Sequence, residues 1–296
     1  MVYHSLAEID FALDDLPQIP GPTQVLLTEP TYFAVHYVIN PHMAGNIGEV
    51  DSQEAHRQWW ALQSTYQNLG IKTHTAAGVA DLYDMVFCAN QTLPFRTPAS
   101  QQGVVLGQMY AEERRSEVEH FDRFFRQAGY QVATLLPDSA FAFEGMGDAI
   151  WHPNRFLLWG GYGYRTDPTA YDVLADLLDV HILALHLTDA DFYHLDTCFC
   201  VLDERTVLIY PRAFAPEALA LIQHFFDEVL EAPEDEARTL FACNAHCPDG
   251  HHVIIQQGCT ATNQLLCEAG FLPIEVDTSE FLKAGGSVFC MKQMFW

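Results

Sequence analysis

Cys290, His194, Glu144, Asp148, Asp196 and Asn90 are the residues of this chain whose types could do chemistry together. Each is a polar group set beside an apolar run. Asn90 closes DMVFCAN, Glu144 and Asp148 frame FEGMGDAIW, His194 and Asp196 open HLDTCFCV, and Cys290 stands in GGSVFCMKQMFW. A thiolate is a nucleophile, an imidazole handles the proton, and carboxylates or amides hold a cation. Singly, each residue has an ordinary structural use: cysteine packs as a small hydrophobe, asparagine forms turns, a histidine sits satisfied in a core, and Glu144 lies at the surface beside a glycine. The pair Gly285 and Gly286 favours the chemical use of Cys290, because it leaves room for a substrate to approach the backbone. As a set they gain force, since polar groups that each end a strand can meet at one face of a multi-strand assembly.

A rival cluster is CNAHCPDGHH, with Cys243, His246, Cys247, His251 and His252. Thiolates and imidazoles this dense are zinc ligands in other settings. On a regular strand, however, Cys243 and Cys247 share one face while His246 points to the other. No C-x-x-C pair is present, and no metal site is expected. Phosphate-loop and dinucleotide fingerprints are also missing, since GGYGYRTD lacks their spacing. No cofactor is expected.

Short apolar runs separated by turn residues must position these groups. Residues 24–27, 85–89, 103–107, 131–136, 155–160, 198–202, 206–210, 251–256 and 288–291 read as strands. Helices are predicted at 52–69, 112–128, 169–178, 216–230 and 261–270. The first has a Ser cap, apolar Ala55, Trp59, Leu62 and Tyr66 at helical spacing, and Gly70 as a stop. CVLDERTVLIYP and CPDGHHVIIQQG look alike, each a strand pair across a polar turn running into a helix. A weak repeat of roughly 50 residues follows. Nothing reads as a linker, so one domain is expected over 24–296, preceded by an N-terminal extension over 1–23.

The chain has 296 residues, 49% of them hydrophobic, which is ample for a substantial core. The opening lacks a basic segment followed by a sustained apolar one, and no run approaches the ~20 apolar residues of a membrane span. A cytoplasmic protein is expected, with its eight cysteines reduced. With 39 acidic and 14 basic residues the formal charge is −25, which repels nucleic acid and anionic membranes and favours cationic ligands. Only three of the basic residues are lysines, a balance that suits a surface kept hydrated in high salt.

The series FCAN (87–90), FEGMGD (143–148), HLD (194–196) and SEFLKAGGSVFC (279–290) resembles the guanidine-modifying superfamily, which comprises arginine deiminases, arginine dihydrolases, dimethylarginine dimethylaminohydrolases and amidinotransferases. The order and approximate spacing hold from about residue 24 to the end of the chain. The resemblance implies a five-bladed α/β propeller (pentein) of ββαβ units around a buried site. It makes Cys290 the nucleophile, His194 the general acid and base, and Glu144 and Asp196 the carboxylates that hold the guanidinium. Met146 is inserted in the family's E-G-G-D, which leaves the role of Asp148 as a substrate ligand less secure. Arg165 and Arg114, or Arg115 in place of Arg114, lie where deiminases grip the substrate carboxylate, and Asn40 resembles an asparagine of the dihydrolase branch. Deiminases carry Asp where this chain has Asn90. An amide can accept from a guanidinium and also donate to a ureido oxygen, so Asn90 fits an enzyme that hydrolyses twice.

The implied partner is a small guanidino substrate, with self-association left open. The implied activity is hydrolysis of arginine to citrulline or, in two rounds, ornithine. Hydrolysis of an Nω-methylarginine or of citrulline is the alternative within the same chemistry. A non-catalytic binding propeller is the alternative of another class, and the intact Cys, His and Glu set argues against it. Amidinotransfer requires water to be kept out until an amine arrives, and no segment reads as a lid for that.

Overall fold

The computed structural model describes residues 1–135 and 141–296, which form an α/β fold. Five small sheets are present among the described residues, and they repeat one plan. A central strand runs into a helix and returns as a parallel neighbour, and a third strand or bridge pairs antiparallel on the other side. Gln102–Leu106 lies between antiparallel Thr92–Arg96 and parallel Gln131–Thr134. Leu157–Tyr162 lies between Ala149–Trp151 and His181–His186, and Thr206–Ile209 between Phe199–Val201 and Glu228–Glu231. His252–Gln256 pairs with Leu272–Val276, and its antiparallel side is reduced to one bridge between His246 and Ile254.

The remaining sheet joins distant parts of the chain. Gln24–Thr28 is parallel to Lys72–Ala76 and antiparallel to Gln293–Phe295. That pairing carries the segment containing Cys290 onto the strand with which the repeats begin. Residues 1–23 are also bound in: Val2–Tyr3 adds to the edge of His181–His186, and Leu13, Leu16 and Ile19 are buried.

The central strands are Val-, Ile- and Leu-rich and buried on both faces, as parallel strands covered by helices must be. Ser52–Asn68 forms as its periodicity predicts, with Ala55, Trp59, Leu62 and Tyr66 buried. Its cap is Asp51 rather than Ser52, because the Asp51 carboxylate accepts from the backbone N–H of Gln53 and Glu54. Thr169–Leu178 has the predicted bounds.

Several predicted elements differ. Residues 85–89 and 288–291 are turns, not strands: Phe87 N–H bonds to Asp84 O, and Met291 N–H to Ser287 O. Their apolar side chains are buried by what surrounds them rather than by ladder pairing. The helix predicted over 216–230 stops at Phe225, where Phe226 turns extended and Glu228–Glu231 becomes a strand. The helix predicted over 112–128 divides into a 3-10 segment, Glu112–Glu117, and the α-helix Val118–Gln127. Leu136, the last residue of a predicted strand, lies outside the described residues. Residues 241–247 make turns with one bridge, so the strand faces expected for Cys243 and His246 do not exist. His246 Nδ1 pairs with the Tyr66 hydroxyl at 2.9 Å, and no metal-holding group of three His, Cys, Asp or Glu occurs among the described residues. No helix among the described residues is long and apolar enough to cross a membrane.

Phe295 anchors the last strand. It is buried against the rings of His74, Phe124, Phe125 and Tyr130, with centroids 5.2–6.3 Å away. Phe295→Ala should cost about 3–5 kcal/mol in urea unfolding. A loss below ~1 kcal/mol would show that this strand does not hold the Cys290 segment in place.

Candidate active site

Cys290 sits on the turn at 288–291, three residues before the last strand. Asn244 holds that turn from the neighbouring repeat. Its Oδ1 accepts from the backbone N–H of Ser287 (3.0 Å) and Cys290 (3.3 Å), and its own carbonyl accepts from Phe289 N–H. The Asn244 Nδ2 donates to Cys290 Sγ at 3.2 Å and to Asp196 O at 2.8 Å. The thiol in turn donates to Asp196 Oδ2 at 3.1 Å. Burial pushes the Cys290 thiol well above its ordinary value, the Asp196 carboxylate adds to this, and the Asn244 amide opposes it. Burial likewise pushes Asp196 up to about 7, against the pull of the thiol hydrogen bond and of the Lys292 charge.

His194 precedes the 3-10 turn Leu195–Thr197 that presents Asp196. Its Nε2 lies 2.6 Å from Glu144 Oε2, and Arg165 Nη1 is 3.5 Å from the same oxygen. Glu144 Oε1 accepts from Tyr110 N–H at 2.9 Å. Burial alone would raise the Glu144 carboxyl, but the bond and charge of His194, then Arg165, hold it well below the ordinary range.

Asn90, Arg114 and Asp84 form the opposite wall. Arg114 Nη1 donates to Asn90 Oδ1 at 2.9 Å, and its other nitrogens bind Glu117 and the carbonyls of Asp84 and Phe87. Arginine is donor-only, so this contact fixes which end of the Asn90 amide is oxygen. The Asn90 Nδ2 has no hydrogen-bond partner among the described residues. It lies against Gly147, where an added Cβ would come within 2.2 Å, so only glycine fits there. Arg115, the alternative to Arg114, points to the carbonyls of Met109 and Tyr110 and stands outside the cavity.

One small cavity is lined by Asn40, Asn90, Arg114, Arg165, His194 and Cys290. Glu144 and Asp196 stand behind His194 and Cys290. Asp148 does not reach the cavity: its Oδ1 accepts from Leu195 N–H at 2.9 Å and its Oδ2 from the Thr166 hydroxyl at 2.7 Å. It sets the backbone that carries His194 and Asp196. The inserted Met146 completes a helical turn, Gly145–Asp148, and its sulfur meets Gln293 of the last strand. Asn40 caps the turn Pro41–Met43 through Oδ1 and ties it to Ala284 O through Nδ2. Arg165 donates to Ile39 O at 2.6 Å beneath the Tyr193 ring. The space expected beside Gly285 and Gly286 is filled by protein. A Cβ at 285 would meet Asn40 Oδ1 and Tyr193 OH, and one at 286 the Phe87 ring.

Sequence reasoning passed over Asp84, Tyr193 and Asn244. Asp84 opens the same DMVFCAN run that Asn90 closes, and its placement among apolar residues was a usable signal. Asn244 was hidden inside the candidate metal cluster. The whole arrangement offers a thiol held between a donor and an acceptor, an imidazole paired with a carboxylate, and polar side chains lining a small buried space.

The family model described as N,N dimethylarginine dimethylhydrolase, eukaryotic, matches residues 35–295. The chain is 35% identical over 270 residues to the bifunctional arginine dihydrolase/ornithine cyclodeaminase ArgZ of Synechocystis sp., an alignment covering 90% of this chain and 37% of that protein. The chain thus spans well under half the length of that relative. It is 34% identical over 271 residues to the N(G),N(G)-dimethylarginine dimethylaminohydrolase of Mycobacterium tuberculosis, covering 92% and 85%. The substrate-bound crystal structure of the N-terminal domain of ArgZ, a cyanobacterial arginine dihydrolase, superposes with a TM-score of 0.85 at 34% identity, covering 92% of this chain and 97% of that one. A variant of that domain covalently bound to a reaction intermediate superposes at 0.84 with the same identity and coverage.

The buried carboxyls make stability depend on pH. Burial pushes Asp148 up to about 6 and Asp196 and Glu117 to about 7, whereas the unfolded chain releases these protons near pH 4. Between those limits these three carboxyls hold more protons in the folded state, so their share of the stability falls as pH rises from about 4 to about 7, whereas burial depresses His152 to about 4 and His246 well below its ordinary value, and the imidazoles act the opposite way over the same range. Glu144, depressed by its partners, acts oppositely, but only below the ordinary carboxylate range. Removing the Asp196 share by Asp196→Asn should make the stability difference between pH 7 and pH 5, from urea midpoints, more favourable to pH 7 than in the parent by about 1–3 kcal/mol. A pH profile unchanged by Asp196→Asn would contradict this assignment.

Proposed function

The chain belongs to the N,N-dimethylarginine dimethylhydrolase family, and from that premise we propose that it hydrolyses the guanidino group of arginine twice, through adducts on Cys290. The Cys290 sulfur attacks the central guanidinium carbon, the open Asp196 oxygen pairs with the guanidinium, Glu144 orients His194 because both its oxygens are already taken, and the substrate cation helps ionise the thiol. The bond to a terminal nitrogen breaks, and His194 protonates the departing ammonia. Water then adds to the amidino-thioether with His194 as base, the C–S bond breaks, and the ureido product forms. The second round repeats these steps on the ureido carbon. It releases a second ammonia and a carbamate, which loses carbon dioxide to leave ornithine.

The observation that carries the two-round reading is the amide of Asn90. Its oxygen is taken by Arg114, and its Nδ2 is left without a partner among the described residues. A free N–H beside His194 can donate to a ureido oxygen, which a carboxylate at this position cannot. The relative captured as a covalent intermediate supports the adduct chemistry. Arg165 and Arg114 are read as aligning groups, with Asn40 holding the turn above them.

The five sheets are read as blades of one propeller over 24–296, closed by the pairing of 293–295 with 24–28. The support is the common strand–helix–strand plan of the sheets and the way the segments around residues 39–43, 84–90, 193–194 and 284–290 line one cavity.

Two substitutions test the chemistry. Cys290→Ser should abolish turnover, by more than about a thousandfold, while leaving the melting temperature and arginine binding in place; retained turnover would move the nucleophile elsewhere. Asn90→Asp should raise the ratio of citrulline to ornithine released, measured by mass spectrometry from arginine. An unchanged ratio would remove Asn90 from the second round.

A further inference from the structure

The pairs described so far leave one buried charge unexplained. Lys292 lies two residues beyond Cys290, is wholly buried, and its Nζ has no hydrogen-bond partner among the described residues. The ammonium rests over the Phe289 ring, 3.1 Å from its centroid. A ring face offers a buried cation partial compensation only. Lys292 does not line the cavity shared by Cys290 and His194. It borders a separate cavity of about 260 Å³, together with Met146, His246 and Trp296. It therefore reaches the site from the side away from any substrate bound at Cys290.

The ionisable groups whose charges act on Lys292 come from several elements. They are Asp196 from the turn Leu195–Thr197, Cys290 from its own turn, Cys88 from the turn at 85–89, Cys200 from the strand Phe199–Val201, and His246. Of these, Asp196 is the carboxylate. Its Oδ2 accepts the Cys290 thiol, and its Oδ1 has no hydrogen-bond partner among the described residues. A lone ammonium and a half-paired carboxylate thus act on each other electrostatically in the protein interior beside the nucleophile. Burial depresses the Lys292 ammonium to about 7 and Asp196 opposes that, so the charge of each group depends on the other.

We propose that Lys292 is a positioning residue whose buried charge stabilises the doubly ionised pair, the Asp196 carboxylate beside the Cys290 thiolate, from behind the substrate site. This rests on the reading of Cys290 as nucleophile. An attack needs both groups ionised at once, the thiolate to form the bond and the carboxylate to hold the guanidinium. Two adjacent anions in a dry site repel each other, and one fixed cation behind them lowers that repulsion. Asn244 holds the sulfur by a neutral donor, whereas Lys292 supplies net charge without touching the reacting atoms.

The test is the pH dependence of Cys290 alkylation by iodoacetamide, followed on the Cys290 peptide by mass spectrometry so that the other cysteines do not contribute. In Lys292→Met the alkylation rate near neutral pH should fall about tenfold, with the midpoint moving up by about one pH unit. Lys292→Arg, which keeps the charge, should recover most of that loss. Should Lys292→Met fail to fold, Asp196→Asn/Lys292→Met removes both buried charges and is compared with Asp196→Asn alone; the double variant should still alkylate with the higher midpoint. Unchanged midpoints, or an equal shift in the Met and Arg variants, would overturn the proposal, the latter by showing that packing rather than charge is at work. Turnover that survives complete alkylation of Cys290 would instead refute the nucleophile reading, while the alkylation profiles would still report on Lys292.

Discussion

Ionisable groups taken out of water must be compensated inside the protein, and that requirement organises the centre of this molecule. Glu144 is buried and remains ionised because His194 and Arg165 both approach one of its oxygens. Arg114 is buried and saturated by Glu117, Asn90 and two carbonyls. An isolated carboxylate or guanidinium in such a place would cost several kcal/mol. The pairs are therefore conditions of folding as well as of chemistry. Arg114 finds its partners within its own repeat, whereas Glu144 and His194 belong to different ones, so the His194–Glu144 pair forms only when neighbouring sheets are assembled.

Not every group in the site is fully compensated, and the exceptions are informative. The Asn90 amide nitrogen and one Asp196 oxygen have no hydrogen-bond partners among the described residues, and both belong to residues that bear on the site. Buried polar groups left open cost stability in the unliganded protein and gain a partner when a complementary ligand arrives. Asp148, by contrast, uses both oxygens on Leu195 and Thr166 and holds the backbone rather than a ligand. Two carboxylates four residues apart thus do different work, because one faces His194 and the other faces main chain.

The position of the Cys290 thiol depends on closure of the chain. Pairing of Gln293–Phe295 with Gln24–Thr28 delivers the turn that carries Cys290, and Asn244 holds that turn through its side-chain oxygen and its carbonyl. Glycine at 147 allows the Asn90 amide to lie against the Gly145–Asp148 turn, and the chain has no slack there for a side chain. The sulfur is thereby fixed between a donor and an acceptor.

Local signals carried much of the fold. The helix over 169–178 and the strand at 206–209 could be read because periodicity, stops and apolar runs are properties of neighbouring residues. The order of FCAN, FEGMGD, HLD and the terminal Cys was likewise enough to single out Cys290, His194, Glu144 and Asn90. Apolar runs at 85–89 and 288–291 were misread as strands, since sequence reports that a segment is buried and not whether a ladder or a turn buries it. By itself, then, the sequence determined which residue types were available and where the regular elements start and stop. Tertiary structure alone decided that Asp148 serves the backbone, that Arg114 rather than Arg115 enters the cavity, and that Asn244 and Lys292 flank the thiol. Hydrogen bonds and charge pairing between residues far apart in the chain depend on distances of a few ångströms, and those distances exist only after the sheets pack.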